Sequence, residues 1–192
     1  THWRWQGLLE PRPLLRLDEL VQRADAPVVL CEGEKAADAA AELMPDHVAT
    51  CWPNGSNSWH KADLMPLKGR TVLLWPDNDV SGKACMDAIE LKLIELGAAS
   101  VQRIALDVFK LKPSSKGGKP TLIKGGKWAD GDDAADALAK GWTAGHVSEL
   151  VRSGEFVGGA AEPTEPQQPK AKAPAKRPAK SKNDLLPGGF RL

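Results

Sequence analysis

Apolar positions along this chain fall into short unbroken runs separated by Ala-rich or amphipathic stretches. "PVVLC" at 27–31, "HVATC" at 47–51, "TVLLW" at 71–75 and "VQRIAL" at 101–106 are such runs. Runs this short, apolar on both faces and rich in β-branched residues, predict strands inside a buried parallel sheet. The first is followed by "EKAADAAAELM", composed of good helix formers. The third is followed by "SGKACMDAIELKLIELG", which opens on a Ser able to cap a helix. That stretch places Cys85, Ile89, Leu93 and Leu96 on one stripe and stops at Gly97. Strand and helix alternating over short links predict an α/β fold, a Rossmann-like, mostly parallel four-stranded sheet flanked by helices. In that architecture ligands bind beyond the carboxyl ends of the strands.

Beyond the fourth run the pattern loosens. "KLKPSSKGGKPTLIKGGKW" at 110–128 holds six lysines and no acid and reads as a long loop or ribbon. "GDDAADALAKG" and "TAGHVSELVRSG" then predict two short helices, the first introduced by Asp132 and Asp133, where the helix dipole favours negative charge. Residues 158–184 form a Pro, Ala and Lys tract with too few large apolar groups to offset the entropy of folding, so a disordered linker is expected. "LLPGGFRL" at 185–192 regains apolar character and is expected to begin a further, truncated domain. The division expected is thus a lead-in at 1–25, one α/β domain at 26–157, the linker, and that last fragment.

Charge and cysteine usage narrow the setting. Residues 1–158 carry 19 Lys/Arg against 22 Asp/Glu, a net of −3, so nucleic acid would have to be held by local clusters rather than an overall positive field. Cys31, Cys51 and Cys85 are widely spaced, with no C-x-x-C pair to bind zinc or run redox chemistry. Buried thiols in a reducing, cytoplasmic, soluble protein are expected. No apolar run approaches membrane-spanning length, and the absence of an initiator Met suggests a piece of something longer.

The candidate chemistry sits at two strand ends. In "LLWPDNDVSGKA" the third run gives way to Asp77 and Asp79, a D-x-D whose oxygens suit Mg2+, or serve equally well to cap the following helix. In "VVLCEGEKAAD" the first run ends on Glu32, followed at once by Gly33, a residue that would allow a tight turn. Strand ends of a parallel sheet share an edge, so Glu32 can face Asp77 and Asp79 across a narrow gap. Carboxylates so gathered repel one another unless a cation or substrate supplies the balance.

These residues resemble the TOPRIM family, the catalytic domain of bacterial-type primases, topoisomerases and some nucleases. "EGEKAAD" and "DNDVSGKA" stand in that family's order, and the stretch from about 26 to 140 is similar to the TOPRIM segments of phage and plasmid primases and primase-helicases, including "WPNGSNSW" and "DDAADAL". The resemblance implies a Mg2+-dependent nucleotidyltransferase, with Mn2+ as a substitute, that makes RNA primers from NTPs on a single-stranded DNA template. A helicase or helicase-like domain, in the same or an associated chain, is the implied partner. Glu32 matches the family's general acid or base, also linked to metal, and Asp77 and Asp79 match its metal pair. One departure is that the Asp many such primases carry four residues after the glutamate is Ala36 here. The nearest acid, Asp38, lies two residues further and about 200° round a helix.

Other candidates keep two readings. Lys35 and Lys83, each in the first turn after an acidic strand end, are placed for phosphate contact or are ordinary solvated lysines. Lys124 and Lys127, in the 110–128 stretch bordered by Phe109 and Trp128, suit single-stranded nucleic acid or a solvated insertion. Trp52 and Trp59 form a stacking lip or pack on the sheet edge; Asp132 and Asp133 cap a helix or join the acidic site. Two other functions compete: an accessory, non-catalytic TOPRIM module, and a haloacid-dehalogenase-type phosphatase, which also sets D-x-D after an apolar strand.

Overall fold

The computed structural model describes residues 9–116 and 118–158 of the chain. The four apolar runs form β1 (Val28–Cys31), β2 (Val48–Cys51), β3 (Thr71–Trp75) and β4 (Ser100–Ile104), all parallel to their neighbours. A fifth strand, β7 (Val157–Gly158), pairs antiparallel with β4, giving the order β2-β1-β3-β4-β7. The expected four-stranded sheet is therefore five-stranded. Its added edge is only two residues long and carries no apolar run to announce it.

Alternate residues of the central strands face opposite layers. Val28, Leu30, Val72 and Leu74 meet Cys85, Met86, Ile89 and Leu93 of α3 (Val80–Leu96), all buried. Val29, Cys31, Leu73 and Trp75 meet α2 (Glu34–Leu43), α4 (Ala134–Ala139) and α5 (Ala144–Ser153). Each fully buried Val or Leu contributes about 1.5–3 kcal/mol, so both faces must stay covered. Gly97 ends α3 with φ 88°, and its N–H and that of Ala98 bond to Ile94 O and Leu93 O at 3.0 Å.

On the α2 side, Phe109 is sandwiched between rings: Trp128 at 4.4 Å, Trp75 at 5.4 Å and, edge-on, Trp142 at 4.9 Å between centroids. The stretch expected as a loop or ribbon is a hairpin, β5 (Leu111–Lys116) and β6 (Lys119–Lys124). Within the expected lead-in, α1 (Leu17–Gln22) buries Leu20 in the core on the opposite, α3 side of the sheet. The Arg70 guanidinium holds that segment by donating to the carbonyls of Leu20, Arg23 and Ala26 at 2.6–2.7 Å. Of the linker expected at 158–184, Gly158 is instead the last residue of β7, and the rest, with the fragment at 185–192, lies outside the described residues. Among the described residues no helix is long and apolar enough to cross a membrane.

Candidate active site

The chain leaves β1 through α2 to reach β2 on one side, then lays β3 on the other side of β1. That reversal is a topological switch point, and in open α/β sheets ligands bind at such a point, beyond the carboxyl ends of the strands, here those of β1 and β3. Cys31 pairs in register with Trp75, so Glu32 comes level with Pro76, one residue short of Asp77. The two strand ends meet directly. Glu32 Oε1 accepts a hydrogen bond from the Asp77 backbone N–H at 3.2 Å. Glu32 is buried, 4% exposed, and its Oε2 has no hydrogen-bond partner among the described residues.

The two acids of the D-x-D have separate employment. Asp79 is the N-cap of α3, accepting from the Gly82 N–H at 2.6 Å, so the capping alternative holds for this residue and replaces the cap expected at Ser81. Asp77 makes no such cap. Burial, and then the carboxylates of Glu32, Asp133, Asp79 and Asp136, push the half-buried Asp77 carboxyl from 3.8 up to about 7. Burial first, then the same Glu32 and Asp77 charges, push the Cys85 thiol up to about 12. All three cysteines are buried, as expected.

Glycine matters here at an unexpected position. Gly33 is extended, φ −145°, and a Cβ there would meet nothing within 4 Å, so the tight turn expected of it is not made. Gly82 is the close approach: a Cβ there would lie 2.5 Å from Glu32 Oε1 and 2.8 Å from the Asp77 carbonyl oxygen. Sequence reading missed it, although it stands three residues after the D-x-D, in the helix turn that covers the acids.

A second loop closes over Asp77. Asn78 N–H donates to Asp132 O at 2.9 Å, Gly131 N–H to Asn78 O at 3.1 Å, and the Asn78 side chain to Ala129 O at 2.6 Å. Asp133 caps α4, accepting from Ala135 and Asp136 N–H, while Asp136 returns the bond to Asp133 N–H. Asp132, 8% exposed, accepts from Ala129 N–H and pairs with Lys140, which also lies 4.8 Å over the Trp128 ring. Asp133 and Asp136 therefore reach Asp77 through their charge, and Asp136 was not anticipated.

The remaining candidates make no hydrogen bond or ion pair with Glu32 or Asp77 among the described residues. Lys35 and Lys83 are exposed on the first turns of α2 and α3. Lys83 helps Lys110, the stronger influence, hold the Asp107 carboxyl below its ordinary value. Asp38 is exposed and paired with Arg16, and Ala36 is buried in the core. Trp52 is buried with its Nε1–H on Gly55 O at 2.8 Å, so it packs rather than forming a lip. Phe109 is buried too, so it offers no free ring for stacking. Lys124 and Lys127 are exposed at the base of the hairpin.

The donor set fits a hard cation by chemistry: oxygen ligands only, an unpartnered buried Glu32 Oε2, and an Asp77 on which only like charges act. Among the described residues, however, no group of three or more His, Cys, Asp or Glu stands close enough to hold a metal ion. Comparisons with protein-family models, with curated proteins and with solved structures return no match.

Proposed function

We propose that this chain carries a nucleotidyl-transfer domain of the TOPRIM type, acting as part of a DNA primase or primase-helicase that makes RNA primers on single-stranded DNA. The observation that carries this reading is the meeting of Glu32 and Asp77 at the switch point of the sheet, with Glu32 Oε2 buried and unpartnered. Phosphoryl groups bring the charge that such a carboxylate pair needs for balance only when accompanied by a divalent cation. Glu32 and Asp77 would hold Mg2+, with Asp79 joining if its capping bond is exchanged. When bound, the ion would offset charge building on the phosphate oxygens.

The chain's own groups divide the remaining work. The Asp77 N–H orients the Glu32 carboxyl through Oε1 and leaves Oε2 to take the proton of an attacking hydroxyl. Lys35 and Lys83, exposed beside the two strand ends, would hold the phosphates of NTP or template. The test is synthesis of labelled oligoribonucleotides on single-stranded DNA with Mg2+ or Mn2+, by this chain with its neighbouring domains, and the loss of that synthesis in Glu32→Gln. Phosphatase activity that dies with Asp77→Asn and survives Glu32→Gln would replace this reading by the dehalogenase-type one.

The accessory-module reading has one observation of its own, the commitment of Asp79 to the α3 cap. It would be adopted if the chain bound single-stranded DNA, made no primer, and lost nothing on substitution of Glu32 or Asp77.

A further inference from the structure

The β5–β6 hairpin has two unlike faces. In its register Leu111, Pro113 and Leu122 share one face with Pro120, and Leu111 and Leu122 pack against the core. A Cβ on Gly145 would lie 2.7 Å from Pro120 Cγ, and His146 Nε2 is 2.8 Å from Ser114 O, so α5 backs this ribbon. The opposite face holds Lys112, Ser114 and Lys116 on β5 and Lys119, Thr121 and Ile123 on β6. All three of these lysines are exposed, and Ile123 is 49% exposed. Lys116 and Lys119 are directly paired across the strands. Lys112 lies about 13 Å along the strand from Lys116.

Among the described residues none of Lys112, Lys116, Lys119, Lys124 and Lys127 forms an ion pair, whereas Lys110 pairs with Asp107 and Lys140 with Asp132. Residues 111–127 contain these five lysines and no acid, so the rest of residues 1–158 carries 14 Lys/Arg against 22 Asp/Glu. The ribbon is thus a local positive strip on an acidic body. At its base an open pocket of about 270 Å³ is lined by Lys112, Lys127 and Lys140, with Phe109 and Trp142 beneath. The segment leaving that base, Ala129–Asp132, is the one that bonds to the Asp77 loop.

We propose that the outer face of the β5–β6 ribbon is the surface that holds single-stranded DNA, with the backbone phosphates on Lys112, Lys116 and Lys119 and the strand led through the basal pocket toward Asp77. The charge pattern carries the polyanion. The choice of single-stranded DNA among polyanions rests on the nucleotidyl-transfer reading. Like charges kept adjacent, as at Lys116 and Lys119, oppose pairing of the two strands, and a bound phosphate removes that opposition. A strip of point charges with exposed Ile123 beside it is suited to a flexible backbone whose sequence is not read.

The experiment is a salt titration of binding between the full chain and a fluorescent oligodeoxythymidylate, with Lys112, Lys116 and Lys119 all replaced by Gln and, separately, by Glu. Removing three phosphate contacts should lower the slope of log K against log salt by about 2 and weaken binding at least about tenfold. The Glu version should weaken it further, while circular dichroism shows both variants folded. An unchanged slope and affinity in both folded variants overturns the proposal. So does lysine-dependent binding to phosphatidylserine vesicles without binding to the oligonucleotide. Loss of binding in the Lys variants alongside absence of primer synthesis in any context would leave the ribbon standing and remove the catalytic reading. Synthesis lost in Glu32→Gln with binding indifferent to the lysines would do the reverse.

Discussion

Glu32 and Asp77, forty-five residues apart in sequence, are joined by a hydrogen bond from the Asp77 N–H to Glu32 Oε1 at 3.2 Å. This ties the carboxyl end of β1 to that of β3 and fixes one oxygen of a buried carboxyl while leaving the other unpartnered. Glu32→Gln preserves an acceptor for the N–H and removes the charge that faces Asp77. It should abolish primer synthesis, by on the order of a hundredfold or more for a lost general base, while thermal stability holds or rises. A Glu32→Gln protein that folds and still makes primers would refute the assignment. Glu32→Ala, which also removes the acceptor, should melt lower than Glu32→Gln.

Gly82 lies where a methyl group would enter the acidic pair. Two of its three close neighbours belong to Asp77, one of them a backbone carbonyl that cannot swing aside. Gly82→Ala is expected to destabilise the fold by about 1–3 kcal/mol through overpacking. Gly33→Ala, in extended backbone with open space, should be close to neutral. Chemical denaturation of both variants checks the contrast, and equal stabilities would show that α3 can shift away from Glu32.

The sheet was legible because its signal is local: β1 to β4 are apolar on both faces, and Gly97 has the one left-handed conformation that ends α3. β7 was not, since a two-residue edge strand is defined by its partner Ile104 and not by its own composition. Glu32 and Asp77 could be placed on one edge from strand order alone. The division of labour between Asp77 and Asp79 could not, because a capping bond of 2.6 Å to Gly82 depends on the φ of one residue. Asp136 escaped notice for a similar reason: its charge reaches Asp77 only after α4 folds back over the β3 loop. The aromatic borders of the lysine stretch suggested stacking, and tertiary packing claimed Phe109 for the core instead.

The raised Asp77 carboxyl sets a pH dependence of definite sign. Its value near 7, against 3.8 unperturbed, means that the folded chain binds more protons than the unfolded one between about pH 4 and pH 7. Stability contributed by this group is therefore present at low pH and lost as pH rises through that window. Asp77→Asn should flatten the decline and be more stable at pH 8 by on the order of 1 kcal/mol, discounted because Asp77 is only partly buried. Thermal melts across pH check this.

The same group must ionise to hold a cation. Between pH 8 and pH 6 the ionised fraction of a carboxyl near 7 falls about tenfold, so the apparent affinity for Mg2+ should fall by about that factor. Stabilisation by Mg2+ in thermal melts should be larger at pH 8 than at pH 6 and absent in Asp77→Asn. A Mg2+ effect of the same size at both pH values, or one that persists in Asp77→Asn, would place the ion elsewhere.

Lys140 links the acidic loop to the aromatic core, since it pairs with the buried Asp132 and lies over Trp128, which stacks on Phe109. Lys140→Met keeps most of the apolar stem but leaves Asp132 with only its bond from Ala129 N–H. An uncompensated buried carboxylate should lower stability by about 1–3 kcal/mol at neutral pH. Lys140→Arg, which retains the charge, should recover most of it. Because Asp132 O and Ala129 O both receive bonds from Asn78, loosening this loop should also reach the β3 end. Amide exchange at Asn78 and Asp79 should then quicken in Lys140→Met and not in Lys140→Arg. Protection unchanged at those two amides would show that the Asp77 loop is held from α3 alone.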